Sequence, residues 1–83
     1  MNAPARTPEQ LGTVIRNARK AQNLSQNALA QRVGVRQGTI SQIETGHAAL
    51  RLETLLSVLA ALNLELQVAT RSKGSMDAIE DLF

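Results

Sequence analysis

Arg6, Arg16, Arg19, Lys20, Arg32, Arg36 and Arg51 stand against only Glu9 and Glu44 in the first 51 residues, a local charge of +5. The rest of the chain sets Arg71 and Lys73 against Glu53, Glu65, Asp77, Glu80 and Asp81, a charge of −3. A basic half of this kind can neutralise a polyanion, and nucleic acid is the first candidate. A solvated surface with chance asymmetry is the competing account, and Arg16, Arg19 and Lys20 are individually open to both.

Other chemistries find little to work with. The chain has no cysteine, which excludes a disulfide framework and a thiolate metal site. His47 is the single histidine and has no second ligand nearby in the sequence, so a loop residue near phosphate is the better reading than a metal ligand. No nucleophile–base pair, glycine-rich phosphate loop or carboxylate constellation is present. The expectation is therefore a binding protein, neither an enzyme nor a cofactor carrier.

The elements that must position these residues fit one small domain. The chain has 83 residues, 43% of them hydrophobic, with Phe83 the only aromatic. The core must then be built of Leu, Val, Ile and Ala, a composition suited to close-packed short helices. No apolar run reaches the 18 residues of a membrane span, and no secretory signal follows Met1, so the expected setting is the cytoplasm, in association with the nucleoid.

Residues 1–6 lack periodicity and read as a flexible arm. Thr7-Pro8-Glu9-Gln10 is a helix start, with Thr7 as cap, Pro8 at the first position and Gln10 completing a capping box. Leu11, Val14, Ile15 and Ala18 carry that helix to about Ala21 or Gln22. Ser25 caps a second helix, stapled by Leu24 on Leu29, and Gly34 ends it after Val33. A third helix is expected over 37–44, ending before Gly46. A fourth starts near Leu52, places Leu55, Leu56, Leu59 and Leu62 on one stripe with Val58 widening it, and stops at Asn63.

Beyond Asn63 the period changes. Leu64, Leu66 and Val68 alternate with Glu65, Gln67 and Ala69, the pattern of a strand. A lone strand leaves its backbone unpaired, and pairing with the same strand of a second copy is the economical remedy. Val58, Leu62, Leu64, Leu66 and Val68 are thus candidate dimerisation residues; an extension of the fourth helix is the alternative. Residues 71–75 form a hinge to an acidic tail, where Met76, Ile79, Leu82 and Phe83 are candidate partner contacts or part of a frayed end.

The most informative stretch is 26–45, QNALAQRVGVRQGTISQIET. Two short helices crossing through a tight turn need a small residue at the crossing, a left-handed residue at the turn and five inward apolar positions. Ala30, Gly34 and the set Leu29, Val33, Val35, Ile40 and Ile43 supply all seven in register. A generic helical pair would match two or three, so a helix-turn-helix is expected.

LSQNALAQRVGVRQGTISQIETG resembles the Cro/C1 (Xre) helix-turn-helix family, over about Leu11–Leu64. The resemblance implies an all-α, lambda-repressor-like domain of four to five helices, spanning 7–70, whose third helix enters the major groove of double-stranded DNA. It implies that Gln26 contacts a phosphate and buttresses the recognition helix, and that Arg36, Gln37, Gly38, Thr39, Ser41 and Gln42 lie at the groove. Lys20, Ser25 and His47 would flank them near phosphates. The chemistry is compatible: glutamine can bond adenine at N6 and N7, threonine can offer a methyl to thymine, and Arg36 can reach guanine or phosphate. Gly38 departs from the polar side chain frequent at its position, giving up a base contact while letting the backbone come close.

The second half, TLLSVLAALNL followed by LELQV and a short tail, resembles the HipB-type antitoxins, which pair with HipA-type serine/threonine kinases. That resemblance implies a homodimer joined through residues 64–70, a palindromic operator, and a tail, 71–83, that ends near the kinase with Phe83 as anchor. A free-standing regulator without a toxin partner is the alternative.

Overall fold

The structure, a computed structural model, describes residues 3–47 and 49–71. Four helices lie in it: α1 (Pro8–Ala21), α2 (Gln26–Val33), α3 (Gln37–Thr45) and α4 (Leu52–Ala61). The starts of α1 and α2 follow from their caps. The Thr7 hydroxyl accepts from the Gln10 backbone N–H, and the Ser25 hydroxyl accepts from that of Ala28. The expected capping box at α1 closes one residue earlier than its usual form. Gln10 Oε1 accepts from the backbone N–H of Arg6, at 2.7 Å, and so ties the arm to the helix.

All four helices end alike. Each is followed by a residue in the left-handed region: Asn23 (φ 57°), Gly34 (85°), Gly46 (80°) and Asn63 (58°). The next residue then donates its N–H back across the last turn, Leu24 to Arg19, Val35 to Ala30, His47 to Gln42 and Leu64 to Leu59. These bonds satisfy carbonyls that a helix end would otherwise leave open. Three of the four returning residues, Leu24, Val35 and Leu64, also pack on the core.

The core is Ile15 and Ala18 of α1, Leu29 and Ala30 of α2, Ile40 and Ile43 of α3, and Val58, Leu59 and Leu62 at the end of α4. Helix α3 packs on both α1 and α2, and α4 packs on α2. This arrangement corrects the expected stripe of α4. Val58 and Leu62 are 0% and 1% exposed, sealed inside the protomer's own core, and have no surface to offer a second copy. Leu52 and Leu56 face solvent instead, at 62% and 44% exposure. The helix is apolar nearly all round, so its sequence leaves the inward side ambiguous until α2 selects it.

The expected strand is not formed within the single chain: the described residues contain no strand, and 65–71 lie outside any helix. Extension of α4 is excluded, because Asn63 is left-handed and Leu64 folds back onto Leu59. Leu66 and Val68 are exposed. Met76, Ile79, Leu82 and Phe83 lie outside the described residues.

One glycine sets the approach of α1 to α3. A Cβ on Gly12 would lie 2.4 Å from the carbonyl oxygen of Ile43 and 2.6 Å from that of Glu44. A Cβ on Gly38, in contrast, would meet nothing within 4 Å, and the residue sits in the first turn of α3. The two therefore respond oppositely to alanine. Gly12→Ala should destabilise by about 1–3 kcal/mol through overpacking. Gly38→Ala should stabilise by about 0.4–1 kcal/mol by restricting the unfolded chain. Urea denaturation of the two variants against wild type checks both signs.

Candidate nucleic-acid interface

Helix α3 reaches its position through a polar network as well as through Ile40 and Ile43. Arg19, expected to lie at the surface, is buried, and so is Glu44. Arg19 Nε donates to Glu44 Oε2 at 2.6 Å and an Nη donates to Oε1 at 3.0 Å, a two-point ion pair joining α1 to α3. The other Nη of Arg19 donates to the carbonyl of Leu24, at 2.7 Å, holding the turn into α2. Each of the three guanidinium nitrogens thus donates a bond, which suits arginine and would not suit lysine.

Burial pushes the Glu44 carboxyl upward. Hydrogen bonds from Arg19 and Gln26, with the charges of Arg19 and Arg16, outweigh that and hold it below the ordinary carboxylate value. Arg19 is raised above its ordinary value by its hydrogen bond to Glu44, against the opposing effect of burial. Both groups are therefore charged at neutral pH.

The network continues toward the surface. Gln26 Nε2 donates to Glu44 Oε1 at 3.1 Å, and Gln26 Oε1 accepts from Gln37 Nε2. Gln37 opens α3 and is exposed, so its side chain is both outward-facing and held. One amide hydrogen and the carbonyl oxygen remain for a base edge, the pair of groups that adenine requires. Gln26 thus bonds to the first residue of α3, the helix it is expected to buttress.

Arg36, Gln37, Gly38 and Gln42 are exposed around α3, while Thr39 and Ser41 are half-buried. Arg36 occupies the N-cap position of α3 and makes no side-chain capping bond there, leaving its guanidinium to reach outward. The exposed Ser25 hydroxyl accepts from the Ala28 N–H as the α2 cap and keeps its own O–H as a donor. Exposed Lys20 and His47 share no hydrogen bond with the glutamine pair; the His47 ring bonds to the Thr45 hydroxyl at 3.0 Å. Arg19, Glu44 and Gly12 were missed by the sequence reading. The first two differ from surface charges only in sitting one helical turn after Ile15 and one residue after Ile43, beside apolar positions.

The comparison with known proteins decides the family. A helix-turn-helix family model matches residues 15–68. The chain belongs to the Cro/C1-type helix-turn-helix family. It is 40% identical over 75 residues to an uncharacterised helix-turn-helix transcriptional regulator, y4dL, of Sinorhizobium fredii; the match covers 90% of the chain but only 37% of that regulator. It is 28% identical over 74 residues to antitoxin HipB of Escherichia coli, covering 89% of the chain and 79% of HipB. Among solved structures, a HipA–HipB–O2–O3 complex contains a chain similar at TM-score 0.75 and 26% identity, with 83% of this chain and 97% of that one covered. The restriction-modification controller protein C.AhdI of Aeromonas hydrophila is similar at TM-score 0.67 and 29% identity, covering 70% of this chain and 88% of the controller. The fold is that of a DNA-binding transcriptional regulator. Among the described residues no helix is long and apolar enough to cross a membrane.

The buried pair carries two measurable consequences. Removing one partner, as in Arg19→Met, strands the other charge and should cost about 3–5 kcal/mol, a large part of the stability of so small a domain. The pH dependence has a fixed sign. The folded value of Glu44 is depressed, so its contribution is complete above the unfolded value near 4.5 and is lost as pH falls through the folded value. Wild type should therefore lose stability on acidification below about pH 4.5, and Glu44→Gln should show a flatter acid limb in urea midpoints measured across that range.

Proposed function

We propose that this chain is a repressor of the antitoxin kind: it binds a palindromic operator through α3, acts as a homodimer, and engages a HipA-type kinase. The observation that carries the DNA-binding part is Gln37 at the start of α3, an exposed amide held by Gln26 of α2 at the position from which a recognition helix reads bases. Arg36, Thr39, Ser41 and Gln42 supply further groove contacts, with Gly38 allowing close backbone approach. Lys20, Ser25, Gln26 and His47 serve the phosphates.

The homodimer is supported by where the apolar surface lies. The large hydrophobic residues exposed among the described ones, Leu52, Leu56, Leu66 and Val68, all fall in α4 and the segment that follows it. Strand pairing of 64–70 between two copies would cover Leu66 or Val68 and satisfy the unpaired backbone together. The antitoxin reading rests on HipB, matched over 79% of its length, and on the complex in which HipB is accompanied by HipA. The acidic segment Met76–Phe83 is then the natural kinase contact. A free-standing regulator is the second reading, favoured by the 40% identity to y4dL and by the likeness to C.AhdI. Co-purification with a kinase encoded beside this gene separates the two.

Three substitutions give distinct outcomes. Gln37→Ala should cost about 1–3 kcal/mol on the operator and relax preference at one base pair. Lys20→Ala should weaken binding to all sequences alike and reduce the salt slope by about one. Leu66→Glu should shift sedimentation toward the monomer and weaken operator binding with it. Mobility-shift titrations across salt concentrations, with sedimentation velocity on the same samples, read all three.

A further inference from the structure

The Arg19–Glu44 pair is buried, yet it is hydrogen-bonded to the exposed Gln37 through a single side chain, Gln26. We propose that Glu44 is a positioning residue for base recognition: its ionised carboxylate fixes the orientation of the Gln26 amide, and through it that of Gln37. This rests on the reading of α3 as the recognition helix.

The argument is one of donors and acceptors. An amide side chain has two chemically different ends of nearly the same shape, so packing alone does not choose between its two flips. A carboxylate can only accept. Glu44 Oε1 accepts from Arg19 and from Gln26, and Gln26 must therefore turn its NH₂ inward at 3.1 Å. Its carbonyl oxygen then points outward and can only accept, so Gln37 must present its own NH₂ to Gln26. Each member of the chain has one permitted orientation because the first one carries a charge.

Arg19 is what keeps that charge in place. Its two-point contact anchors both carboxylate oxygens, with the Glu44 side chain 2% exposed. No side-chain polar atom buried among the described residues is left without a partner, so no unpaired buried side chain competes for the Gln26 amide. With a neutral group at position 44 both flips of Gln26 become acceptable. Gln37 could then offer a base its second N–H where the carbonyl had stood, or the reverse.

The test is selection from a pool of randomised DNA duplexes by the full chain, followed by sequencing. The base pair read by Gln37 is the one whose preference disappears in Gln37→Ala. Glu44→Gln, verified as folded by circular dichroism at the assay temperature, should lose preference at that same pair by about tenfold, the scale of a two-point amide–base contact, while keeping it elsewhere. The exchange variant Gln26→Glu with Glu44→Gln puts the carboxylate next to Gln37 and should restore the preference. Gln26→Leu cuts the relay without touching the ion pair and should lose preference at the same pair, which decides the matter if Glu44→Gln does not fold. Retained preference at that pair in folded Glu44→Gln, or in Gln26→Leu, would overturn the proposal. A wild-type chain that enriches no sequence would overturn the DNA-binding reading beneath it, a result visible before any variant is compared.

Discussion

The arrangement of this domain hangs on one ion pair between the first and third helices. Arg19 reaches across to Glu44 with two bonds and to the Leu24 carbonyl with a third, so one side chain joins α1, α3 and the turn into α2. Gly12 allows the same two helices to come within backbone distance, and the pair sits beside that contact. Neither would serve alone. A close approach without the ion pair would leave a carboxylate buried and unanswered, and an ion pair without the close approach would be a surface contact worth little.

Buried ion pairs are poor sources of net stability, since well-packed apolar residues can do as well. The use of this one is better sought in geometry. Apolar packing through Ile40 and Ile43 fixes the depth of α3 but tolerates small rotations about its axis. A forked guanidinium on a carboxylate does not tolerate them. The proposed recognition helix is thereby registered against α1 by directional bonds, in addition to being pressed against it by apolar ones.

Much of this was legible in the sequence. Thr7, Ser25, Gly34, Gly46 and Asn63 marked helix boundaries because caps and left-handed positions are local chemistry. Ala30, Leu29, Ile40 and Ile43 marked the helix-turn-helix because its crossing admits few side chains. What escaped detection depended on partners distant in the chain. Arg19 and Glu44 lie 25 residues apart, and nothing local distinguishes them from solvated charges. Gly12 reads as an unremarkable weak point of a helix until α3 is laid over it. The inward face of α4 was misassigned for the same reason: Leu56 and Val58 are equally apolar, and only α2 determines which is covered. Gln26 and Gln37 stand out by likeness to the motif, whereas the direction of their hydrogen bonds depends on Glu44, 18 residues beyond Gln26.

The common ending of the four helices bears on how copies of this chain can associate. Exchange of helices between two molecules requires a joint to straighten, so that an element can leave its own body and enter another. Here each joint is bent at a left-handed residue and tied by a bond reaching back five residues. Straightening the joint after α1, α2 or α4 would also pull Leu24, Val35 or Leu64 off the core. Each hinge is thus locked by its own chain, and association is steered toward surface pairing of intact protomers and away from swapped, runaway assemblies.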